Sequence, residues 1–326
     1  MNPPKYKIEV NRIGSGPIIF PALSHVLGAN INGPSLIKVP SWIVEPLGKY
    51  YLYFADHKGL HIKLAYADNI SGPWNIYDPG ALQLADTSFL QESPTLPSGF
   101  DISEISKLRG PGIPSPLDDM TIPHIASPDA FVDEDRKEIR LYYHGLNEFG
   151  KQPSRVAISK DGIQFESLEN PIGHPYMRMF QHDQFTYCLS MPGIIYRSKD
   201  GLTHFTPGPT LFSPQMRHSA VLLIDNDLLV FWTQVGDQPE RIYFSQICLK
   251  DDWMDWKESE ATEILRPEFP YEGSDLPLLP SLRSATCRAN QLRDPAIYQE
   301  DNQIYLLYCV AGEAGIALSE ITLSKA

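Results

Sequence analysis

Hydrophobic and polar residues alternate in short runs along this chain, and the runs recur as one repeated unit. In the clearest copy an apolar strand spans residues 127–132, an acidic turn follows at 133–135, and a Tyr-rich strand at 139–143 leads to a third strand at 155–159. Alternation with a period of two is typical of half-buried β-strands. The pattern therefore predicts small antiparallel sheets joined by tight turns.

The unit occurs five times, which predicts five sheets. Its first strands are expected at 33–37, 127–132, 177–180, 218–223 and 294–298. Such repetition indicates a propeller, so we predict an all-β fold, a single five-bladed β-propeller domain over residues 1–326. The fifth copy has only three strands and an unpaired strand lies at 6–10. We predict that this N-terminal strand closes the last blade, because propellers remove exposed edges by closing on themselves.

Composition and charge limit the fold class and the partners that the protein can have. The 29 Pro and 22 Gly residues favour turns and short strands over long helices. A formal net charge of −13 excludes a nucleic-acid partner, since the protein would repel a phosphate backbone. There is no run of 18 apolar residues and no leader-like N terminus, so we expect a cytoplasmic protein without a membrane partner. The scattered cysteines predict free thiols: Cys188, Cys248, Cys287 and Cys309.

Polar residues at the start of each first strand should converge on one small volume, because the innermost strands of a propeller line its central channel. The positions concerned are Asn32, His124, Asp129, Arg178, Arg217, His218, Arg293 and Asp294. Two residues that follow second strands, Asp56 and Glu240, are expected near the same face. Charges of both signs are costly to desolvate unless they serve a ligand or pair with each other. The sequence thus predicts either a ligand site or a paired network that plugs the channel.

Several of these stretches resemble a known family. Residues 293–297 with 305–308, residues 127–133 with 141–143, residues 217–221 and the pair Glu272-Gly273 are similar to motifs of the five-bladed glycoside hydrolases, which include arabinanases and xylosidases and, more distantly, invertases and mannoside phosphorylases. The resemblance implies a carbohydrate substrate hydrolysed by paired carboxylates. It implies no required cofactor, although His218 matches a histidine that helps to hold a central calcium ion or water cluster.

The chain also departs from the family pattern. Gly33-Pro34 stands where the family has Asp-Pro, and Ser127 stands where it keeps another Asp, with Asp129 two positions further along. Among the first strands of the five blades, the only intact Asp-Pro begins at Asp294. A divergent arrangement of acids is therefore expected.

Glycoside hydrolysis requires two carboxyl groups that flank the scissile bond. We predict Asp294 as base or nucleophile, with Arg293 beside it, Glu272 as the acid, and Asp129 as a residue that tunes the acid. His124 and His218 are alternatives for proton donation or metal binding. The predicted substrate-binding residues are Arg293, Arg217, Arg178, His124, Asn32, Asp56 and Glu240.

Two other functions remain open at this stage. A glycoside phosphorylase would use Arg178, Arg217 and Arg293 to hold phosphate, and a non-catalytic carbohydrate-binding propeller would need no acid in the first blade. The Pro-rich stretch at 79–123 interrupts the repeat and is predicted to act as a lid. Trp42, Trp74 and Trp232 are predicted to pack inside the blades rather than to stack on a sugar.

Overall fold

The computed structural model describes residues 2–101, 116–282 and 288–325, in which twenty strands form five four-stranded antiparallel sheets. The sheets have the strand orders β2-β3-β4-β5, β6-β7-β8-β9, β10-β11-β12-β13, β14-β15-β16-β17 and β18-β19-β20-β1. The strands are β1 (Tyr6–Ile13), β2 (Asn32–Lys38), β3 (Tyr50–Ala55), β4 (His61–Ala67), β5 (Asn75–Gln83), β6 (Ile125–Asp133), β7 (Glu138–Gly145), β8 (Ser154–Ser159), β9 (Glu166–Ser167), β10 (Arg178–His182), β11 (Phe185–Ser190), β12 (Ile194–Ser198), β13 (Thr206–Thr210), β14 (Met216–Ile224), β15 (Asp227–Gln234), β16 (Ile242–Cys248), β17 (Thr262–Leu265), β18 (Arg293–Glu300), β19 (Gln303–Cys309) and β20 (Ile316–Lys325).

Helices are short. The α-helix α1 (Pro116–Thr121) precedes β6, and single 3-10 turns lie at Pro21–Leu23, Leu84–Asp86, Trp253–Asp255 and Pro270–Glu272. No helix in the part of the chain that the structure describes is long and apolar enough to cross a membrane.

The five sheets are the blades of a propeller. The innermost strands β2, β6, β10, β14 and β18 contact one another in sequence, and β18 returns to contact β2. The predicted five-bladed β-propeller is therefore confirmed. Its core lies between the blades, where the residues of the second strands, such as those of β3 and β7, are almost completely buried.

Closure of the ring follows the prediction. Strand β1 pairs antiparallel with β20 along its whole length, from Tyr6 opposite Lys325 to Ile13 opposite Leu318. The N-terminal strand thus becomes the outer strand of the fifth blade, and the two ends of the chain are held in one sheet.

A repeated hydrogen bond links neighbouring blades. The hydroxyl of Tyr53 in the first blade donates to the carbonyl of Gly162 in the second, at 2.7 Å. Tyr142 in the second blade donates in the same way to Gly201 in the third, at 2.8 Å. The Tyr-rich second strands and the Asp-Gly turns of the sequence repeat thus meet across the blade interfaces, where a buried hydroxyl needs a partner.

The thiols and tryptophans agree with their predicted structural roles. Cys188 and Cys309 are buried free thiols and Cys248 is a partly buried one, while Cys287 lies outside the described residues. Trp74 and Trp232 are buried in the hydrophobic clusters between blades.

Candidate active site in the central channel

The innermost strands carry a shared irregularity near their first residues. Pairing registers shift within Asn32–Ser35, Ala126–Asp129, Met216–Ser219 and Arg293–Ala296. A bulge of this kind bends a strand and changes the direction of its side chains. In three of the four bulges a residue with left-handed backbone precedes a proline: Gly33 (φ 60°), Ser127 (φ 51°) and Asp294 (φ 44°). These are equivalent positions of the repeat, and only one of them carries an acid.

The first blade has a glycine, Gly33, at the position where the fifth blade has Asp294. A Cβ atom added at Gly33 would lie 2.9 Å from the Cα of Ser127, on the backbone of the next blade. Blades one and two approach too closely there for any side chain. The packing of these two blades therefore requires a glycine at position 33.

Asp294 is enclosed at the centre of the ring. It is 1% exposed, its Oδ1 lies 3.1 Å from Nδ1 of His218, and its Oδ2 has no hydrogen-bond partner among the described residues. Burial, reinforced by the negative charge of Glu313, raises the pKa of Asp294 to about 7. Burial and the charge of Arg217 lower the pKa of His218, so its imidazole is neutral at neutral pH.

The second carboxyl group of the cluster is Glu313, in the turn between β19 and β20. Its Oε2 accepts hydrogen bonds from Asn30 (2.8 Å) and Asn32 (3.1 Å), and its Oε1 accepts one from Arg293 (3.0 Å). Burial opposes its ionisation, but the charges of His57 and Arg293 outweigh that effect and hold the pKa of Glu313 well below its usual range. Glu313 is therefore an ionised carboxylate, and its neighbour Asp294 keeps its proton up to about pH 7.

A row of alternating charges supports this pair. Glu240, which is fully buried, lies 3.4 Å from Nη1 of Arg217 and 3.0 Å from Nε of Arg293. Arg293 in turn reaches Glu313. Each buried charge is neutralised by its neighbour, so the row holds the arginines, and through them Glu313, in fixed positions.

A pocket of about 730 Å³ opens above the cluster, within the range of ligand sites. Four polar side chains form its floor: His57, Tyr176, Arg217 and His218. Tyr176 has a left-handed backbone (φ 60°), and its ring centroid lies 4.7 Å from that of His144 and 4.7 Å from that of His218. Two floor residues contact the acids: His57 contacts Glu313 and His218 contacts Asp294. Because the acids themselves do not line the pocket, they lie just beneath its floor.

Asp129 and Arg178 belong to a different cavity. They line a void of about 120 Å³ further along the innermost strands. Oδ2 of Asp129 accepts a hydrogen bond from the amide of Met179 (2.8 Å), and Oδ1 lies 3.2 Å from Nη1 of Arg178. The two-residue offset from Ser127 thus carries this carboxylate away from the upper pocket.

Three further residues predicted for the site are not brought to the pocket. Glu272 is completely buried, but its carboxylate accepts hydrogen bonds from Arg12 (2.8 Å) and Tyr308 (3.0 Å), and none of these residues lines the cavity. His124 is buried with its Nδ1 2.7 Å from the carbonyl of Ile122, and burial lowers its pKa to about 4.

Asp56, the third of them, accepts a hydrogen bond from the amide of Lys58 in its own turn. The predicted residues that the structure does gather around the channel are Asn32, Arg217, His218, Glu240, Arg293 and Asp294.

Sequence reasoning missed Glu313 and Tyr176. A signal for Glu313 was present, because the polar residues after the second strands of blades one and four had already been singled out, and Glu313 follows the second strand of blade five. Tyr176 lies in the loop before β10, where nothing in the repeat marks it.

The stretch at 79–123 contributes to the pocket through its end. Its first residues belong to β5, residues 102–115 lie outside the described part of the chain, and Asp119 and Met120 of α1 line the cavity. Asp119 lies 3.0 Å from Nζ of Lys58 and 3.6 Å from Nε2 of His57, which ties α1 to the first blade.

The residues present do not form a ready metal site. Among the described residues no group of three or more His, Cys, Asp or Glu side chains is arranged to hold an ion. Calcium prefers six to eight oxygen ligands, whereas His218 offers a ring nitrogen that already faces Asp294. The predicted calcium ion stays a prediction.

Five four-stranded blades around a central channel are the fold of the family-43 glycoside hydrolases. Solved structures similar to this chain include a GH43 enzyme from Xanthomonas citri complexed with xylotriose (10% identity, TM-score 0.55, 96% of this chain and 89% of that one). A second is a GH43 β-xylosidase/α-arabinofuranosidase from a compost metagenome (11%, 0.54, 97% and 94%), and a third is a thermostable family-43 glycoside hydrolase (12%, 0.54, 91% and 89%).

The chain belongs to the same family as an uncharacterized protein of Acanthamoeba polyphaga mimivirus. The two are 34% identical over 315 residues, which cover 88% of this chain and 82% of the viral protein. No family model matches the chain.

Proposed function

We propose that this protein is a glycoside hydrolase whose reacting groups are Asp294 and Glu313. The observation that carries the proposal is the opposite electrostatic setting of these two neighbouring carboxyl groups beneath a ligand-sized pocket. Two acids whose environments drive their pKa values apart are suited to acid and base roles. The shared fold with family-43 glycoside hydrolases supports a carbohydrate ligand.

The roles follow from the protonation states. Asp294 keeps its proton near neutral pH and donates it to the glycosidic oxygen as the leaving group departs. Glu313, held ionised by Arg293 and two asparagines, acts on the anomeric carbon either directly or through a water molecule. The anomeric configuration of the first product distinguishes these two routes. Asp294 is thus proposed as the acid, whereas the sequence predicted it as the base or nucleophile.

Because both acids lie beneath the floor, we propose that the side chain of Tyr176 moves to admit the substrate. Tyr176 lies in the floor, and the charge of Asp294 contributes, after burial, to raising the pKa of its phenol, so ring and carboxyl are neighbours. Displacement of the Tyr176 ring would let a glycosidic bond reach both carboxyl groups. A left-handed backbone at a bulky residue is a strained state of the kind found at switch positions.

The alternative functions find less support. Each of the three arginines already lies beside a carboxylate: Arg178 beside Asp129, and Arg217 beside Glu240. Arg293 lies beside both Glu240 and Glu313. These negative charges reduce the attraction of the arginines for phosphate. The phosphorylase function stays a prediction, and assays with added inorganic phosphate test it. The non-catalytic carbohydrate-binding function also stays a prediction.

The test is turnover of aryl glycosides and oligosaccharides of xylose, arabinose, galactose and glucose, with and without inorganic phosphate. Asp294→Asn and Glu313→Gln are expected to lower kcat by about 10²-fold or more. Glu300→Gln is the matched control, because Glu300 bonds Lys38 and Tyr50 away from the pocket, and it should keep full activity. Unchanged turnover in both active-site variants would refute the assignment, and binding without turnover would indicate the non-catalytic function.

A further inference from the structure

The walls of the upper pocket present apolar side chains from three separate parts of the chain. Met120 projects from α1, Met191 from the turn between β11 and β12, and Val235 from the end of β15. Three prolines complete this surface: Pro153, Pro171 and Pro175. The upper part of the pocket is therefore apolar on several sides.

Polar residues also line these walls, but they bond within the protein. Oδ1 of Asn147 accepts a hydrogen bond from Arg155 (2.8 Å), and Nε2 of Gln152 donates to the carbonyl of Asp119 (2.6 Å).

Glu148 and Lys151, at the outer edge of the wall, pair with each other at 3.0 Å. The two side chains of this pair are largely exposed (56% and 69%), so deeper in the pocket the apolar side chains provide the favourable surface for a leaving group.

The floor has the opposite character. His57, Arg217, His218 and Tyr176 place hydrogen-bonding groups directly above Asp294 and Glu313. Tyr176 is also the only aromatic residue other than histidine among the described residues that line the pocket, so the walls offer no row of rings on which successive sugars could stack. The pocket is polar at the bottom and apolar above.

We infer that the preferred substrate is a glycoside with an apolar aglycone, such as an alkyl or aryl alcohol, rather than an oligosaccharide. The inference rests on the proposed function, which places the sugar on the floor with its glycosidic oxygen toward Asp294. The leaving group then extends between Met191 and Val235. Methionine side chains adapt to apolar groups of different shapes, so the wall accepts a range of aglycones.

The experiment compares methyl, butyl and hexyl glycosides, whose leaving alcohols differ in apolar length much more than in acidity, with the disaccharide of the same sugar. We expect kcat/KM to rise with chain length by up to about fourfold for each buried CH2 group. Met191→Gln and Val235→Asn should flatten this dependence. Met254→Gln is the matched control, because Met254 is 53% exposed and is not among the residues that line the pocket, and it should leave the dependence unchanged.

Calorimetry with the corresponding alkyl thioglycosides, which resist hydrolysis, repeats the comparison without turnover. Tighter binding with a negative heat-capacity change for longer chains supports the inference. An affinity and a kcat/KM that do not depend on chain length, or a tenfold preference for the disaccharide, would overturn it. If hydrolysis still disappears in Asp294→Asn, the hydrolase function survives that result. If no glycoside is hydrolysed but long alkyl thioglycosides bind best, the pocket specificity stands and the hydrolase function fails.

Discussion

Nδ1 of His218 lies 3.1 Å from Oδ1 of Asp294, and the two residues come from the innermost strands of adjacent blades. Both side chains are almost completely buried, at 1% exposure. Nδ1 of His218 accepts a hydrogen bond from the backbone amide of Asp294 (3.3 Å), so this nitrogen of the neutral imidazole is an acceptor, and it can also accept one from the protonated carboxyl group of Asp294. His218 thus favours the protonated acid that the proposed mechanism needs.

The pH dependence of stability tests this setting of Asp294. Its folded-state pKa of about 7 exceeds the ordinary value of 3.8, so the native protein binds more protons than the unfolded chain between these values, and stability should fall as pH rises through this interval. The Asp294→Asn variant should not lose stability in this way as pH rises. We expect the variant to melt about 2–4 °C above the wild type near pH 8, with a smaller difference near pH 4, by calorimetry. A variant that is less stable than the wild type at the higher pH would contradict the raised pKa.

The same group should set the alkaline limb of activity. Because Asp294 acts as the acid, kcat should decline as pH rises above about 7, where the carboxyl loses its proton. Replacement of His218 by Gln keeps a neutral hydrogen-bonding group and should retain the limb while lowering kcat. A profile that stays flat to pH 9 in the wild type would assign the acid to another residue.

Arg12 and Glu272 form a structural ion pair between β1 and the turn at Pro270–Glu272. Arg12→Ala leaves the completely buried Glu272 without its cation and should destabilise the protein by about 3 kcal/mol, measured by denaturant unfolding. Combining it with Glu272→Gln should recover part of the loss, since the uncompensated charge disappears. If Glu272→Gln alone abolished hydrolysis at unchanged stability, the original prediction of Glu272 as the acid would regain support.

The close approach of the first two blades predicts the effect of a single methyl group. Gly33→Ala places a Cβ 2.9 Å from the Cα of Ser127 and should destabilise by about 2–4 kcal/mol, from steric overlap and left-handed backbone together. Gly14→Ala separates the two causes. Gly14 also has a positive φ (81°), but nothing lies within 4 Å of its added Cβ, so only the backbone cost of about 1 kcal/mol remains. Equal losses in the two variants would disprove the clash.

Added calcium tests the ion that the family resemblance implied, because the described residues contain no group of three or more His, Cys, Asp or Glu side chains arranged to hold one. A ligand that binds only the native state raises Tm with its concentration. We expect Tm after treatment with EDTA to equal Tm in excess CaCl2. An increase of several degrees would show that backbone or water oxygens complete a site near His218, as the family resemblance implied.

The blade pattern and the closure of the ring could be predicted from the sequence because both depend on local order. The sequence shows period-two alternation, turn residues and the number of strands directly. These features predict the positions of the inner strands and the pairing of β1 with the last blade. The convergence of Arg217, Arg293 and Asp294 followed from that architecture, since equivalent positions of a repeat meet at its axis.

Only the tertiary structure decided which acids share a site. Glu313 accepts a hydrogen bond from Asn30, which is 283 residues away in the sequence. Glu272 is bound by Arg12, which is 260 residues away, and Asp129 lines the smaller cavity of about 120 Å³. A carboxyl group's partners and burial determine its protonation state, and they arise when blades pack around the channel. The sequence alone determined a five-bladed ring with charged residues at its centre, whereas the division of those charges into an acid, an ionised carboxylate and structural ion pairs required the packed ring.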